Sequence, residues 1–258
     1  MGLGIQAGLG TSPSLRSGND PNKRGSDFDG GDAQVFARIG SVSNSSELHP
    51  FLSIDIAAGP KVLAPRAETE LLGRTAIELL ADIGEPVVVD VCCGSGNLGL
   101  AIAHARPDAT VYLTDLTDET VAQARSNADR LGLSPRVRIG QGDLFAGVAD
   151  LLGGQGVDLI VCNPPYISTS KLAGDAAHLL EREPREAFDG GDYGIAVHQR
   201  LVSEAPNYLK PGGWLTFEFG LGQDRQVALL LKRSGRFGDI SFANDDLGRP
   251  RVAYTRLN

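Results

Sequence analysis

The sequence has no long apolar segment and no excess of positive charge. No stretch approaches the ~20 apolar residues that a membrane-spanning helix needs. The amino terminus lacks the basic flank and the continuous apolar run of a signal peptide. We therefore expect a cytoplasmic protein with no membrane partner. The 24 Lys and Arg against 32 Asp and Glu give a formal net charge of −8, which disfavours duplex nucleic acid as a partner.

Cysteine and histidine are also scarce. Two of the three cysteines are adjacent, Cys92 and Cys93, and the four histidines stand in unrelated contexts. Neither set has the spacing of metal ligands, and three cysteines make no disulfide framework. We expect no metal and interpret the cysteines as small buried residues in a reducing compartment. A redox switch at the adjacent pair is the alternative.

Composition divides the chain into three parts. Residues 1–33 are rich in Gly, Ser, Asn and Asp and contain hardly any large apolar side chain, which predicts a flexible leader. Residues 34–68 carry scattered apolar residues and predict a short extension with a hairpin. Residues 69–258 predict the main domain, because apolar periodicity is sustained only there.

Within the extension, Ile54 and Ile56 alternate with polar residues, which predicts a strand. Its expected partner is Val62-Leu63. In the main domain, apolar runs such as residues 87–91 predict buried strands, and apolar residues at helical spacing predict helices between them. Alternating strands and helices predict right-handed βαβ units and hence an α/β fold around a parallel sheet.

Acidic residues follow three successive predicted strands. The loop after the first strand, residues 90–96, is rich in glycine, which lets backbone N–H groups approach a ligand closely. Asp115 is placed to bind two ribose hydroxyls. Asp143 is placed to accept from an exocyclic amine such as that of adenine, with Leu144 against the ring. Singly, these acids are also typical of turns and helix caps; together they predict an adenosine-bearing ligand. The candidate cofactor-binding residues are Asp90, Cys92, Cys93, Gly94, Ser95, Gly96, Asp115, Leu116, Asp143, Leu144 and Asn163.

The residues Asn163-Pro164-Pro165-Tyr166 follow the buried strand that ends at Cys162. Two successive prolines stop helix and sheet, so the segment leaves the sheet as a stiff loop. It presents an amide side chain, a carbonyl with no neighbouring N–H, and an aromatic face, at the edge where α/β sheets bind ligands. This set fits a planar group with N–H donors. The alternative is a rigid loop with ordinary packing.

These motifs resemble the series found in class I S-adenosylmethionine-dependent methyltransferases, in which Asn-Pro-Pro-Tyr marks enzymes that methylate planar nitrogens. Further segments resemble the HemK/PrmC-type peptide-chain-release-factor glutamine methyltransferases, over roughly residues 51–257. They are residues 62–70, 183–194, 209–213, 218–223 and 248–252.

The resemblance implies a Rossmann-like fold with a mostly parallel seven-stranded sheet and a C-terminal antiparallel hairpin, and S-adenosylmethionine as cofactor. It implies that Asn163, Pro164 and Tyr166 are catalytic. The implied substrate-binding residues are Asn163, Pro164, Pro165, Tyr166, Arg66 and Thr69. For Arg66 and Thr69 the alternative is a solvated charge and a helix cap. Two interpretations of Glu218 stay open: it is either a buried functional acid or a turn partner.

The chain also departs from the family pattern. We recognise no counterpart of the family's helical amino-terminal domain in residues 1–50, and Ala67, Cys93 and Tyr193 replace more usual residues. The acceptor therefore stays open between a release-factor glutamine and a small molecule or other peptide. The net negative charge of the chain disfavours a nucleic-acid adenine methyltransferase. A cofactor-binding module without catalysis would be expected to lose Asn163–Tyr166.

Overall fold

The computed structural model describes residues 47–181 and 183–258, so the predicted leader and residues 34–46 lie outside the described residues. The first element is an antiparallel hairpin of β1 (Glu47–Phe51) and β2 (Ile54–Ala58). The predicted strand at Ile54 and Ile56 is confirmed, but its predicted partner, Val62-Leu63, is wrong. Leu52 adopts a positive φ of 51° in a two-residue turn, which pairs β2 with the preceding segment instead.

The main sheet has seven strands in the order β5-β4-β3-β6-β7-β9-β8. The five strands β3 to β7 are parallel, whereas β9 runs antiparallel to both β7 and β8. This confirms the predicted mostly parallel sheet with a C-terminal antiparallel hairpin. The strands are β3 (Val87–Val91), β4 (Thr110–Asp115), β5 (Val137–Gln141), β6 (Val157–Cys162), β7 (Leu209–Glu218), β8 (Ser241–Asn244) and β9 (Pro250–Arg256).

Helices cover both faces of this sheet. Val88 and Val89, neighbours on β3, pack into different apolar clusters because successive side chains of a strand point to opposite faces. The cluster containing Val88 includes the buried side chains of α1 to α3 and of the hairpin, and the cluster containing Val89 includes those of α6 and α7. The helices are α1 (Glu70–Leu79), α2 (Asn97–Ala105), α3 (Asp118–Arg130), α4 (Ala149–Leu152), α5 (Thr169–Leu172), α6 (Ala196–Glu204) and α7 (Asp224–Ser234).

Two details bear on the sequence predictions. The Pro211-Gly212-Gly213 segment, predicted as a turn before the strand, lies inside β7 as an irregularity. Val157 pairs with Leu209 and Leu159 with Trp214, so the residues between them bulge out of the ladder. No helix in the described part of the chain is long and apolar enough to cross a membrane.

The strand order places β3 between β4 and β6, so the connections leave the centre of the sheet in opposite directions. Such a switch point opens a crevice at the carboxyl ends of the strands. Cys92 follows β3, Leu116 follows β4 and Asn163 follows β6. The predicted loops therefore emerge at one edge of the sheet.

Candidate active site

A cavity of about 520 Å³ lies at this edge, a volume typical of small-molecule sites. We call it the strand-end cavity. Six of the predicted cofactor-binding residues line it, together with Pro165 of the Asn163–Tyr166 loop. The six are Cys92, Gly94, Asp115, Leu116, Asp143 and Leu144. The other predicted cofactor-binding residues are not among its lining: Asp90, Cys93, Ser95, Gly96 and Asn163.

Asp115 holds the glycine-rich loop in place. Its Oδ2 accepts a hydrogen bond from the Gly94 N–H at 2.7 Å. Its Oδ1 accepts from the Leu116 N–H and from the Thr120 hydroxyl, both at 2.8 Å. A carboxylate offers about four acceptor positions, so Asp115 keeps capacity for a further donor from the cavity that it lines.

Asp90 lies beneath that loop rather than in the cavity. Its Oδ2 accepts from the Gly99 N–H at 2.8 Å, which ties α2 to β3. Its Oδ1 is buried without a hydrogen-bond partner among the described residues. Burial raises the pKa of this carboxyl group to about 8. Asp90 is therefore arranged to hold the loop, and its contact with a cofactor remains a prediction.

The loop itself needs unusual backbone angles. Gly96, directly before α2, has a φ of 84°, a left-handed conformation that glycine adopts without steric cost. Cys92 has a positive φ of 59° although it carries a side chain, a strained conformation that is concentrated at functional sites. Burial raises the pKa of the Cys93 and Cys162 thiols well above the usual value, so neither is an activated nucleophile.

Asp143 is engaged by a residue that the sequence analysis missed. Both of its carboxylate oxygens accept from Arg200 Nη1 at 2.9 Å. Arg200 comes from α6, far along the chain, and an arginine on a helix surface forms no motif. The segment after Glu183 was singled out by its resemblance, but not the residues with which it lines the cavity, among them Arg185, Glu186 and Asp189.

The Asn163–Tyr166 loop is clamped by this later segment. The Ile167 N–H donates to the Phe188 carbonyl at 2.9 Å, and the Gly190 N–H donates to the Ile167 carbonyl at 2.8 Å. Gly194 lies so close that a Cβ there would stand 2.4 Å from the Tyr166 carbonyl oxygen, and its φ is 71°. Only glycine fits such a position. The loop is thus held rigidly.

Consecutive residues of this loop line two cavities. Pro165 lines the strand-end cavity. Tyr166 lines a second cavity of about 580 Å³, which we call the Tyr166 cleft, together with Glu68, Gln223 and Arg251. The Tyr166 hydroxyl donates to Glu218 Oε1 at 3.2 Å. Burial, followed by the Glu218 carboxylate, raises the pKa of Tyr166 far above its usual value, so the phenol stays protonated.

The remaining predicted residues line neither cavity. The Asn163 amide donates from Nδ2 to Thr69 Oγ1 at 3.1 Å, so these two predicted substrate-binding residues are in contact. Arg66 forms an ion pair with Glu183, and the Ala64 N–H donates to the same carboxylate at 3.3 Å. Arg66 thus ties the segment before α1 to the segment after Glu183. In residues 47–181 and 183–258, no group of His, Cys, Asp and Glu is arranged to hold a metal ion.

Comparison with known proteins identifies the family. The family model for the methyltransferase small domain matches residues 71–193. The release factor glutamine methyltransferase of Moorella thermoacetica is 38% identical over 208 residues, which are 80% of this chain and 72% of that protein. The corresponding protein of Geobacter sulfurreducens is 38% identical over 207 residues, 80% of this chain and 70% of that protein. The chain belongs to the release factor glutamine methyltransferase family. It is a methyltransferase of the S-adenosylmethionine-dependent type, as the resemblance implied.

Solved structures with this fold agree with the architecture. The 16S rRNA N2 G1207 methyltransferase (RsmC) of T. thermophilus, solved with AdoMet and guanosine, has a TM-score of 0.59 at 18% identity. The match covers 83% of this chain and 50% of that one. A methyltransferase from Pyrococcus furiosus has a TM-score of 0.55 at 19% identity, covering 80% of this chain and 89% of that one. At these identities the likeness concerns the fold alone.

Proposed function

We propose that this chain transfers the methyl group of S-adenosylmethionine to the side-chain amide nitrogen of a glutamine in a peptide chain release factor. One observation carries the proposal: the Asn163–Tyr166 loop lines, through Pro165 and Tyr166, both the strand-end cavity and the Tyr166 cleft. A loop that borders both cavities is suited to bring a methyl donor in one cavity close to an acceptor in the other. The names of the related proteins supply the acceptor.

The strand-end cavity fits the cofactor. Asp115 and Asp143 are among the carboxylates that line it, with Leu116 and Leu144 as apolar neighbours. We assign the ribose hydroxyls to Asp115, which keeps a free acceptor position, and the exocyclic amine to Asp143. When bound, S-adenosylmethionine supplies an electrophilic methyl group on a sulfonium.

Two oxygens of the loop are suited to hold an amide nitrogen. Because Asn163 Nδ2 donates to Thr69, its Oδ1 is left to accept from a ligand. No described N–H or O–H group donates to the Pro164 carbonyl. An amide nitrogen is a poor nucleophile because its lone pair is delocalised. Two acceptors on its N–H groups favour a pyramidal nitrogen and stabilise the positive charge that develops there.

Tyr166 has the aromatic face for the planar acceptor group. Its hydroxyl donates to Glu218, and its backbone carbonyl accepts from Gln223 Nε2 at 3.1 Å. A face held at both ends restricts the approach of the acceptor, and good alignment contributes up to ~7–11 kcal/mol. The methylated amide nitrogen is positively charged and strongly acidic, so it releases its proton to water and the site needs no strong general base.

The test is transfer of a labelled methyl group by purified protein to three separate acceptors: a release factor, nucleic acid and a metabolite pool. We expect label on a glutamine of the release factor, located by mass spectrometry. N163A is expected to lose about 10²- to 10³-fold in kcat while it retains affinity for S-adenosylmethionine. D118N, on the exposed first turn of α3, is the matched control. Label only in nucleic acid or metabolites would refute the acceptor, and full turnover by N163A would refute the role of Asn163.

A further inference from the structure

Glu218 occupies an unusual place beside the proposed site. It is the last residue of β7, and only 1% of it is exposed. Cys162 at the end of β6 pairs with Phe217, so Glu218 and Asn163 leave neighbouring strands at the same level. Glutamate is almost never buried this completely unless it is paired. A charged group here therefore needs a reason.

The contacts of Glu218 connect the residues proposed to hold the acceptor. Its Oε1 accepts from the Tyr166 hydroxyl and from Arg251 Nη2, each at 3.2 Å. The Thr69 hydroxyl also interacts with the Glu218 carboxyl group and lowers its pKa. Its Oε2 makes no hydrogen bond of ordinary geometry with the described residues. Asn163 joins this group through its bond to Thr69.

The direction of these hydrogen bonds follows from the chemistry of a carboxylate. An ionised carboxylate accepts and never donates, so the Tyr166 hydroxyl directs its proton to Glu218 Oε1. The Thr69 hydroxyl lowers the pKa of Glu218, which requires that its proton point towards the carboxylate. A hydroxyl has one proton, so Thr69 meets Asn163 as an acceptor. Asn163 must then present its NH2 group to Thr69, as the structure shows. Its carbonyl oxygen is thereby turned away from Thr69.

We propose that Glu218 is a positioning residue, which fixes the amide orientation of Asn163 through Thr69 and the ring position of Tyr166 directly. The catalytic consequence rests on the proposed function, because it is the acceptor nitrogen that needs the Asn163 oxygen. A neutral amide at position 218 would have its own N–H donors. It would allow Thr69 to donate to Asn163, whose amide could then flip and present N–H groups to the N–H groups of the acceptor.

The surroundings of Glu218 also predict a pH dependence. Burial raises its pKa, while Thr69, Arg251 and Tyr166 oppose that rise and the nearby Glu68 adds to it. Among the described residues, the hydrogen-bond partner of His198 Nε2 is the backbone carbonyl of Glu218, at 2.9 Å, and not its carboxyl group. Since a protonated carboxyl group can donate, acid should loosen the orientation of Asn163. The kcat of the wild type is expected to fall as pH decreases through the pKa of Glu218, and E218Q should lack this limb.

The kinetic test compares E218Q, T69V and T69S with the wild type on a release factor. We expect E218Q and T69V to lose about 10²-fold in kcat, with the acceptor KM and the S-adenosylmethionine affinity nearly unchanged. T69S keeps the hydroxyl and should recover most of the loss in T69V. E78Q, exposed on α1, serves as the matched charge-to-amide control. Retained kcat in both E218Q and T69V would overturn the proposal. If E218Q fails to fold, T69V against T69S decides alone.

A second readout is independent of the acceptor. In the wild type, the side-chain NH2 signals of Asn163 in NMR spectra should show contacts to the Thr69 methyl group, and E218Q should weaken them. If the wild type fails to methylate the release factor but these contacts change, the proposed function falls and the positioning role stands. If the wild type is active and the contacts are the same in E218Q, the positioning role falls and the proposed function stands.

Discussion

Replacement of Asp115 by asparagine tests the strand-end cavity most directly. The carboxylate accepts three hydrogen bonds, from Gly94, Leu116 and Thr120, at 2.7 to 2.8 Å. Asparagine has the same shape but only one acceptor oxygen. With that oxygen retained at the two donors on the Oδ1 side, the new NH2 group faces the Gly94 N–H, donor against donor. The variant therefore changes the glycine-rich loop and the proposed ribose contact together.

The magnitude follows from the bonds lost. A hydrogen bond to a charged group contributes about 1.5–3 kcal/mol, and every 1.4 kcal/mol is tenfold in affinity. Loss of one such bond to the ribose predicts that D115N binds S-adenosylmethionine about 10- to 150-fold more weakly. Loss of a second, through the displaced loop, adds to this. The free energy of unfolding should fall by a smaller amount, because the loop lies at the surface of the cavity.

Isothermal titration calorimetry with S-adenosylmethionine and with its demethylated product measures this effect. D118N, which changes a carboxylate in the first turn of α3, should bind both ligands as the wild type does. Circular dichroism confirms that D115N is folded. Affinity within about twofold of the wild type, against the tenfold or greater loss expected for one charged hydrogen bond, would refute the ribose role of Asp115 and the placement of the cofactor in this cavity.

Three further predictions concern residues that support the site. In the folded chain the pKa of Asp90 is raised to about 8, whereas in the unfolded chain Asp90 ionises near pH 4. Its contribution to the free energy of unfolding therefore falls as pH rises from about 4 to 8, by about 1.4 kcal/mol per pH unit. The pKa of His198 is lowered to about 4, so His198 has the opposite effect on the free energy of unfolding at pH values below its ordinary pKa. The quantity to measure is therefore the free energy of unfolding of D90N minus that of the wild type. We expect this difference to rise towards pH 8, and a pH-independent difference would contradict the buried proton of Asp90. Phe145 is fully buried and stacked on Tyr208 with ring centroids 4.4 Å apart; F145A should cost about 3–5 kcal/mol in urea denaturation, and a near-neutral result would contradict this packing. G194A, whose Cβ would stand 2.4 Å from the Tyr166 carbonyl, should reduce both kcat and stability, whereas G174A, with its nearest contact at 3.6 Å, should leave both intact; equal behaviour of the two variants would show that the clamp is dispensable.

Predictions from the sequence were most accurate where a local pattern has one physical meaning. Apolar runs buried on both faces, such as Val87–Val91, predicted strands that the structure confirms. The hairpin was predicted with the wrong partner, since the alternation around Ile54 reveals a strand but not which neighbour it pairs with. The Pro211-Gly212-Gly213 segment resembled a turn because a bulge uses the same residues as a turn.

The residues of the candidate site also differ in whether a local sequence pattern reveals them. Asp115 and Asp143 were recognisable because one ends a strand and the other closely follows one, and strand ends of a parallel sheet meet at one edge. Arg200, which binds Asp143, was not, because contact between α6 and the loop after β5 depends on how the layers pack. Asp90 accepts from Gly99 and does not line the strand-end cavity, and an acid in a motif does not reveal on which side of the backbone it points; its contact with the cofactor stays a prediction.

The sequence by itself determined the order of the strands of the main sheet and of the longer helices between them, the resemblance to the family, and the presence of an amide, a carbonyl with no neighbouring N–H and an aromatic ring after β6. These follow from periodicity, proline chemistry and motif spacing, which are all local. Only the tertiary structure decided that Thr69, Tyr166 and Arg251 converge on Glu218. Residues from four separate segments meet there because packing of the sheet and its covering elements brings them together, and no pattern within a single segment encodes that distance.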